Sequence, residues 1–415
     1  MEKRKTTRYQ TEEIITEVVI AFPGDRKWLE LAEKGDKLFL MREPNNQYDK
    51  NAIRICNTLG QPLGYVPRRT AEYIAEYMDT GKPILKCSIK EISVLEGAKK
   101  VTVSIKTIKL KKLLDTFGDI TVGEPRVYKN LSLYPLFSEE KENIEYVTLE
   151  EAVKNKWVTI TEVNEGGHVP ELKVINNSPE NVIILDGEQL IGAKQNRTVN
   201  ITILVAAKTE SVIPVCCTEA GRWSYRSRVF STGAFTYSKL RKIRTQHVVN
   251  NIRTGQGFMA DQGEVWNEID RKSTVMDSKS ETHEMNKIYE DRQKELNEFK
   301  EALKPVEGAK GVVVSLNGRV ICADIFDRSK TLQKQWEKLV GSYTMDAIES
   351  PEKAANKTTG KDVETLLGEL KKAKIDVKQS VGTGKNIGLE TGKFIGTGLV
   401  YGDSIIHVSV FPKEA

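Results

Sequence analysis

The residues with the clearest chemistry lie in Arg42–Ile53, where the sequence is REPNNQYDKNAI. Tyr48 supplies a flat aromatic ring, and Asp49 supplies a carboxylate directly after it. Pro44 fixes the backbone φ angle and Asn46 can bond its own backbone, so the segment predicts a tight turn. An apolar strand follows at once. We therefore expect Tyr48 and Asp49 to be exposed on a loop that a sheet holds in place.

This combination of residues is suited to a single strand of nucleic acid. Tyr48 and Tyr65 can stack on bases, because every base has a π-face, and Arg42 and Arg68 can meet phosphates. A carboxylate repels the phosphates inside a strand, whereas it can accept a hydrogen bond from a terminal hydroxyl. Asp49 therefore predicts a preference for a strand end. The alternatives are half-buried structural roles for the two tyrosines and a turn cap for Asp49.

Short strands must position these residues. The pattern predicts strands at Ile14–Phe22, Lys37–Met41 and Leu63–Arg68, a helix over Ala71–Met78, and a closing pair of strands before residue 112. Short strands with one helix in about 110 residues suggest a small, partly closed β-barrel, an architecture that binds single strands with aromatic platforms and basic rims.

Two segments, GDKLFLMREPNNQYDKNAIRI and LGYVPRRTAEYIAEYMDTG, resemble the HIRAN domain over roughly residues 12–112. The resemblance implies an OB-like barrel that holds a single-stranded 3′ end. It implies that Tyr48 is a stacking tyrosine and that Asp49 binds the 3′-hydroxyl. A second stacking tyrosine of the family, which follows an arginine, corresponds to Phe22 after Ala21, so the ring is kept and the arginine is missing. The family's second basic segment is represented by Tyr65 and Arg68.

The remaining chain is rich in strands between Trp157 and Cys217 and then turns helical. Thr148 and Glu151 have the spacing of a capping box, which predicts a short helix after Thr148. Glu281–Leu303 is highly charged with a thin apolar stripe, which predicts one long exposed helix. We expect that helix to pack on one side, or alternatively to bind a protein partner.

Two polar clusters interrupt the apolar strands, one spanning Asp186–Arg197 and the other Thr218–Trp223. Each has a carboxylate, an arginine and a glycine at the end of an apolar run, where sites are commonly built. The candidate catalytic residues are Glu188, Arg197, Glu219 and Arg222, and the candidate ligand-binding residues are Gln195, Asn196 and Trp223. An arginine on a phosphate and an aromatic ring on a base would suit a nucleotide. The alternative is a pair of buried Glu–Arg bridges that join neighbouring strands.

The segments LDGEQLIGAKQNRTVN and IPVCCTEAGRW resemble a domain family associated with ADP-ribosylglycohydrolases and rhodanese-phosphatases. The resemblance covers roughly residues 113–415. It implies a link to ADP-ribose or nucleotide processing, which for an enzyme would mean a hydrolase acting on such a compound.

Composition is that of an ordinary soluble protein, with 415 residues, 39% hydrophobic and 29% charged. Its apolar runs are too short to predict a membrane span, and a charged N-terminus predicts no secretory signal. Five cysteines without a C-x-x-C pair predict reduced thiols in a cytoplasm, and four scattered histidines predict no metal site. Residues 1–112 hold 22 lysines and arginines against 15 acidic residues, a net charge of +7 that favours an anionic partner.

Together these patterns predict a β-rich α+β protein with two domains. Residues 1–112 form an OB-like small barrel with one or two helices, and residues 113–415 form a larger strand-rich α+β domain with a long charged helix. We expect a cytoplasmic protein that binds single-stranded 3′ DNA ends, in DNA repair or anti-phage defence, without a cofactor. The alternative is an enzyme acting on an ADP-ribose-like or nucleotide substrate, which the barrel recruits to DNA.

Overall fold

The computed structural model describes residues 14–21, 26–79, 84–95, 98–107, 110–139, 144–352, 358–402 and 404–413. The chain divides into two compact units, Met1–Lys112 and Leu113–Ala415. Within the described ranges, no helix is both long and apolar enough to cross a membrane.

In the described ranges, the smaller unit contains six strands and two helices. In chain order these are β1 (Ile14–Val19), α1 (Arg26–Glu30), β2 (Leu38–Arg42), β3 (Ile53–Asn57), β4 (Pro62–Tyr65), α2 (Arg68–Asp79), β5 (Ile84–Leu95) and β6 (Ala98–Thr107). They form two antiparallel sheets, one in the order β1-β6-β5 and the other in the order β2-β3-β4.

Single bridges join the two sheets on both sides. Ala21 pairs with Tyr65 of β4, and Lys37 pairs with Ser88 of β5. The six strands therefore close into a small barrel around a core that includes the fully buried Ile53 and Ile55. The predicted β-rich fold with a small N-terminal barrel is confirmed.

The helix α3 (Leu110–Asp115) crosses the boundary between the units, and a 3-10 turn then begins the larger unit. Its first half continues through β7 (Thr121–Val122), β8 (Arg126–Tyr128), β9 (Leu131–Phe137), β10 (Tyr146–Thr148), α4 (Leu149–Lys154), β11 (Val158–Glu162), β12 (Glu171–Asn176), β13 (Asn181–Ile184), β14 (Glu188–Gly192), β15 (Arg197–Val199), β16 (Ile203–Val205) and β17 (Thr209–Cys217). The predicted capping box at the start of α4 is confirmed, since the Glu151 carboxylate accepts from the Thr148 amide at 2.9 Å and the Thr148 hydroxyl accepts from the Glu151 amide at 3.3 Å.

The second half contains more helix. Its elements are β18 (Phe230–Phe235), α5 (Ser238–Arg253), α6 (Gln262–Val275), α7 (Met285–Asp291), α8 (Gln293–Ala302), β19 (Gly311–Leu316), β20 (Arg319–Phe326), α9 (Ser329–Glu349), α10 (Gly360–Leu370), β21 (Lys374–Gln379), β22 (Lys385–Glu390), β23 (Phe394–Tyr401) and β24 (Ser404–Pro412).

In the part of the larger unit that the structure describes, the strands form three sheets. The largest has the strand order β21-β22-β23-β24-β20-β19-β9-β7, with β8 also paired to β9. A six-stranded sheet has the order β11-β12-β17-β15-β14-β18, and a three-stranded sheet has the order β10-β13-β16. The predicted strand-rich α+β architecture of this part of the chain is confirmed.

The prediction of one long exposed helix over Glu281–Leu303 is wrong. The segment forms α7 and α8, which are separated by Arg292, whose φ and ψ of −109° and 17° are not helical. The apolar stripe is buried within the same unit, with Met285, Ile288, Tyr289, Leu296 and Phe299 each at most 5% exposed. A protein partner therefore has no apolar stripe to bind here, because the unit's own core already covers it.

A wholly buried group of charged residues joins the central elements of this unit. The Arg241 guanidinium, on α5, donates to both carboxylate oxygens of Asp324 on β20, at 2.6 and 3.0 Å, and to Asp186 at 3.3 Å. Tyr343 on α9 donates to Asp324 at 2.6 Å, and a ring nitrogen of His407 on β24 lies 3.3 Å from the same carboxylate. One carboxylate therefore connects two helices and two strands.

Burial by itself would raise the pKa of Asp324, but Arg241 and His407 outweigh it and hold that pKa well below the usual range. A carboxyl group whose pKa is depressed in the folded state stabilises the fold above the pKa of the unfolded chain. That contribution is lost as the pH falls below about 4, the ordinary pKa of an aspartate.

We predict that Asp324→Asn destabilises the larger unit by about 3–5 kcal/mol at neutral pH, because it leaves Arg241 with one fewer counter-charge in the core. Urea unfolding measures the change, and the variant should lose less stability than the wild type between pH 5 and pH 3. Glu210→Gln is the control, since Glu210 pairs with Lys173 on the surface and such pairs contribute at most about 1 kcal/mol. Equal effects of the two variants would contradict the role given to Asp324.

Candidate functional site

The loop between β2 and β3 is fixed by its own side chains. The Asn46 side-chain oxygen accepts from the backbone amides of Tyr48, at 3.0 Å, and Asp49, at 3.3 Å. The Asn46 amide group donates to the Glu43 carboxylate at 2.9 Å, and the backbone of Glu43 pairs with Ala52 at the base of the loop. These bonds hold the backbone of the loop, from which Tyr48 projects with 85% of its surface exposed.

The two carboxylate oxygens of Asp49 have different partners. Oδ1 accepts from the backbone amide of Asn51 at 2.9 Å, and Oδ2 lies 3.8 Å from Nε of Arg68. The Arg68 side chain is 83% exposed, so it holds Oδ2 only loosely. One oxygen thus caps the turn, which was the alternative structural role, and the other has no hydrogen bond from the described residues.

Arg42, which was predicted to contact phosphates, is bonded to other residues of the barrel. Its guanidinium donates to both oxygens of Asp79 on α2, at 2.9 and 2.8 Å, and to the Ala52 carbonyl at 3.2 Å. Its side chain is only 15% exposed. These bonds tie the barrel strand to the helix, so the geometry favours a structural role for Arg42.

Tyr65 is half-buried in a polar network. Its hydroxyl donates to Glu43 at 3.2 Å and accepts from Nε of Arg54 at 3.3 Å, while Arg54 also forms an ion pair with Glu43. The Arg54 guanidinium lies 5.8 Å from the centre of the Tyr65 ring. Phe22, the other predicted stacking residue, lies outside the described residues.

Sequence reasoning missed two exposed apolar residues beside this network. Phe39 and Met41 alternate with inward-facing leucines on β2 and are 58% and 48% exposed. Met41 lies opposite Arg54, which in turn lies opposite Tyr65. The apolar run Leu38–Met41 of β2 concealed them, although the two-residue period of a strand places alternate residues on opposite faces.

In the larger unit, the two predicted polar clusters come together through Glu219. Its carboxylate accepts from Arg222 at 2.8 and 2.6 Å and from the backbone amide of Asn196 at 3.0 Å. Arg222 also donates to the carbonyl oxygen of Ala193 at 2.6 Å. Glu219 is fully buried and Arg222 is 8% exposed, so the geometry favours a closed structural bridge for this pair.

Arg197 occupies a separate position beside that bridge. Its guanidinium is fully buried, donates to the side chain of Gln195 at 3.1 Å, and lies 3.8 Å from Glu162. The ring of Trp223, which is 46% exposed, covers it with the ring centre 5.5 Å from the guanidinium carbon. Arg197 and Trp223 are therefore in contact, as a ligand site would require, but the arginine lies on the buried side of the ring.

Glu188 takes part in a different set of contacts. It accepts from the Leu185 amide at 3.1 Å and lies 3.6 Å from Lys338, which also pairs with Glu150. Burial raises the pKa of Glu188, and the Lys338 ammonium opposes that rise only in part. The contacts of the described residues do not connect Glu188 with Glu219 or Arg222, so the four candidate catalytic residues do not converge.

Comparison with known families divides the chain in the same two parts. The model of the HIRAN domain matches residues 18–106. The model of the ARG and Rhodanese-Phosphatase-superfamily-associated Protein domain, ARPP-1, matches residues 119–411, which is most of the chain.

The individual relatives and solved structures described here are each similar to less than a quarter of this chain. Helicase-like transcription factors of Mus musculus and Oryctolagus cuniculus are each 39% identical over 56 residues, which is 14% of this chain and 6% of the relative's length. The crystal structure of the HIRAN domain of human HLTF is 21% identical, covers 23% of this chain and 78% of that one, and has a TM-score of 0.19. A protein from Lactobacillus plantarum is 23% identical, covers 23% and 98%, and has a TM-score of 0.18.

We predict that Glu219→Ala destabilises the larger unit by about 3–5 kcal/mol, because Arg222 would remain buried without its partner. The double variant Glu219→Ala with Arg222→Ala should cost clearly less than the sum of the two single variants. Urea unfolding of the four proteins gives the coupling. Additive costs would show that the pair is not a structural bridge.

Proposed function

The chain belongs to the ARPP-1 family and carries a HIRAN domain ahead of the ARPP-1 region, and we propose that this HIRAN domain holds the 3′ end of a single DNA strand. The proposal depends above all on Asp49. One of its oxygens is used by the turn, while the other is held only loosely by Arg68, beside the exposed ring of Tyr48.

The charges around Asp49 explain why an end would be preferred. Inside a continuous strand the group beyond each 3′ oxygen is a phosphate, whose negative charge the Asp49 carboxylate would repel at close range. At a 3′ end that phosphate is replaced by a hydroxyl, which can donate to Oδ2. The Arg68 side chain can move its guanidinium to the preceding phosphate, since it is 83% exposed.

Stacking would supply most of the affinity. Tyr48 presents its ring on a rigid loop, so little conformational entropy is lost when a base packs against it. The stacking is tolerant of sequence because all four bases have a π-face. The site would therefore read the end of the strand and not its sequence.

Such a domain would recruit the larger unit to DNA ends, in DNA repair or in defence against foreign DNA. An enzymatic role for the larger unit, on an ADP-ribose-like or nucleotide substrate, stays a prediction. Of its four candidate residues, only Glu188 combines full burial with a raised pKa, a property of general acids and bases.

We predict that wild-type protein binds a short 3′-hydroxyl strand more tightly than the same strand with a 3′-phosphate, and that Asp49→Ala removes the difference. In the variant, the 3′-hydroxyl of the first strand loses the carboxylate that accepts its hydrogen bond. The 3′-phosphate of the second strand is no longer repelled by that carboxylate. Fluorescence anisotropy with both strands gives the two affinities.

Asp36→Ala is the matched control, because Asp36 also caps a turn of the barrel by accepting from the Glu33 amide at 2.8 Å. It should leave the ratio of the two affinities unchanged. If Asp49→Ala keeps the wild-type ratio, Asp49 does not read the terminal hydroxyl.

We predict that Tyr48→Ala weakens binding of both strands by roughly 5- to 150-fold, the value of about 1–3 kcal/mol for one base stacked on an aromatic ring. Leu59→Ala is its control, since Leu59 is an apolar residue in another turn of the barrel and is 78% exposed. The same anisotropy titration measures both variants. An unchanged affinity in Tyr48→Ala would place the DNA elsewhere.

A further inference from the structure

A second surface with the chemistry of single-strand binding lies on the larger unit, in the connection between β17 and β18. Residues 222–228 read RWSYRSR, so that basic and aromatic residues are interspersed along a loop. Trp223 and Tyr225 are 46% and 39% exposed, and Arg226 and Arg228 are exposed beside them. Trp223 covers the buried Arg197 on one side, yet 46% of its surface remains exposed.

The loop is held in place by bonds to the turn that follows β14. Arg222 donates to the carbonyl oxygen of Ala193 at 2.6 Å, and the backbone amide of Arg226 donates to the same oxygen at 3.0 Å. The Ala193 amide donates to the Ser227 hydroxyl at 3.0 Å, which donates to the Val229 carbonyl at 2.7 Å. The exposed rings therefore occupy fixed positions, as in a preorganised binding surface.

One cation lies close to both rings and a second lies close to Tyr225. Nζ of Lys194 is 5.4 Å from the centre of the Trp223 ring and 5.2 Å from that of Tyr225. The Arg228 guanidinium lies 5.1 Å from the Tyr225 ring on the same loop. These four side chains, Trp223, Lys194, Tyr225 and Arg228, are here called the aromatic-basic row.

The charge of the row is suited to a polyanion. Arg226 is partly neutralised, because it pairs with Glu284 at 3.1 Å. The Lys194 ammonium donates to the Gly166 carbonyl at 2.8 Å, and for it and the Arg228 guanidinium the described part of the chain offers no carboxylate within 4.0 Å. Two cations without a carboxylate partner thus flank two exposed rings.

We propose that the aromatic-basic row binds single-stranded DNA along its length. Bases would stack on Trp223 and Tyr225, and phosphates would meet Lys194 and Arg228, the arrangement by which single strands are bound without sequence preference. A duplex would keep its bases stacked inside and could not use the rings. Because none of the four side chains of the row is a carboxylate, it needs no strand end.

The test uses full-length protein and a circular single strand with an internal fluorophore, which offers no end to the barrel. Anisotropy is measured in a Tyr48→Ala/Asp49→Ala background, with and without Trp223→Ala and Tyr225→Ala. The row predicts binding of the circle in the background protein and a roughly tenfold or greater loss on removing the two rings. Trp223→Phe should retain most of the affinity because it keeps an aromatic ring.

Val275→Ala is the control, since Val275 is an apolar residue at the end of α6 and is 56% exposed. Circular dichroism and thermal melting check that the ring variants remain folded. Reversing one charge, in Lys194→Glu or Arg228→Glu, should weaken binding and lower its dependence on salt.

The outcome for the row is separate from that for the barrel. Loss of circle binding on removing Trp223 and Tyr225, with the 3′-hydroxyl preference of otherwise wild-type protein retained, supports the row. A circle that does not bind, or that binds equally after both rings are removed, overturns it even if Asp49 reads strand ends. Binding of a mononucleotide but not of the circle would also overturn it, since the surface would then take a small ligand.

Discussion

The larger unit depends on the burial of one ion pair, that of Arg241 with Asp324. Neither residue could be buried alone, because removing an unpaired charge from water costs several kcal/mol. Both are at most 1% exposed, and Asp324 also contacts Tyr343 and His407. These contacts fix the two helices and two strands that carry the residues. The surfaces of the unit therefore depend on a buried charged group whose geometry can change little.

The pairing of charges also distinguishes residues that stabilise the structure from residues that can bind a ligand. Glu219 and Arg222 are buried and fully engaged with each other, and Arg42 is engaged by both oxygens of Asp79. Asp49 and Arg68 lie at 3.8 Å with the arginine side chain largely exposed. The loosely paired residues are therefore the ones to which a ligand-binding role is assigned.

Local patterns predicted much of the fold, while contacts across the chain could not be predicted. The capping box of Thr148 and Glu151 was evident because its two residues are three apart. The bond from Arg42 to Asp79 spans 37 residues, so a residue that resembled a phosphate contact became a structural tie. The break at Arg292 was missed because the charged sequence around it favours helix on both sides.

Sites were predictable where one loop contains the whole arrangement. Tyr48 and Asp49 follow each other in a turn, so the sequence predicted a loop that carries both, although only Tyr48 is largely exposed. Lys194 lies close to Trp223 and Tyr225 although about 30 residues separate them in the sequence. This contact could be seen only in the folded turn after β14. The resemblance to a known family identified residues but not which of their atoms were already engaged.

The most direct test of a free acceptor on Asp49 uses the backbone amide of Asn51 as a probe. This amide donates to the Asp49 carboxylate, so its NMR signal responds when a ligand binds there. Its resonance, followed by amide NMR during titration with a short 3′-hydroxyl strand, should shift together with those of Tyr48 and Asp49. The same strand bearing a 3′-phosphate should shift them far less. Equal shifts with both strands, or shifts that leave Asn51 unaffected, would contradict the reading of a 3′ end by Asp49.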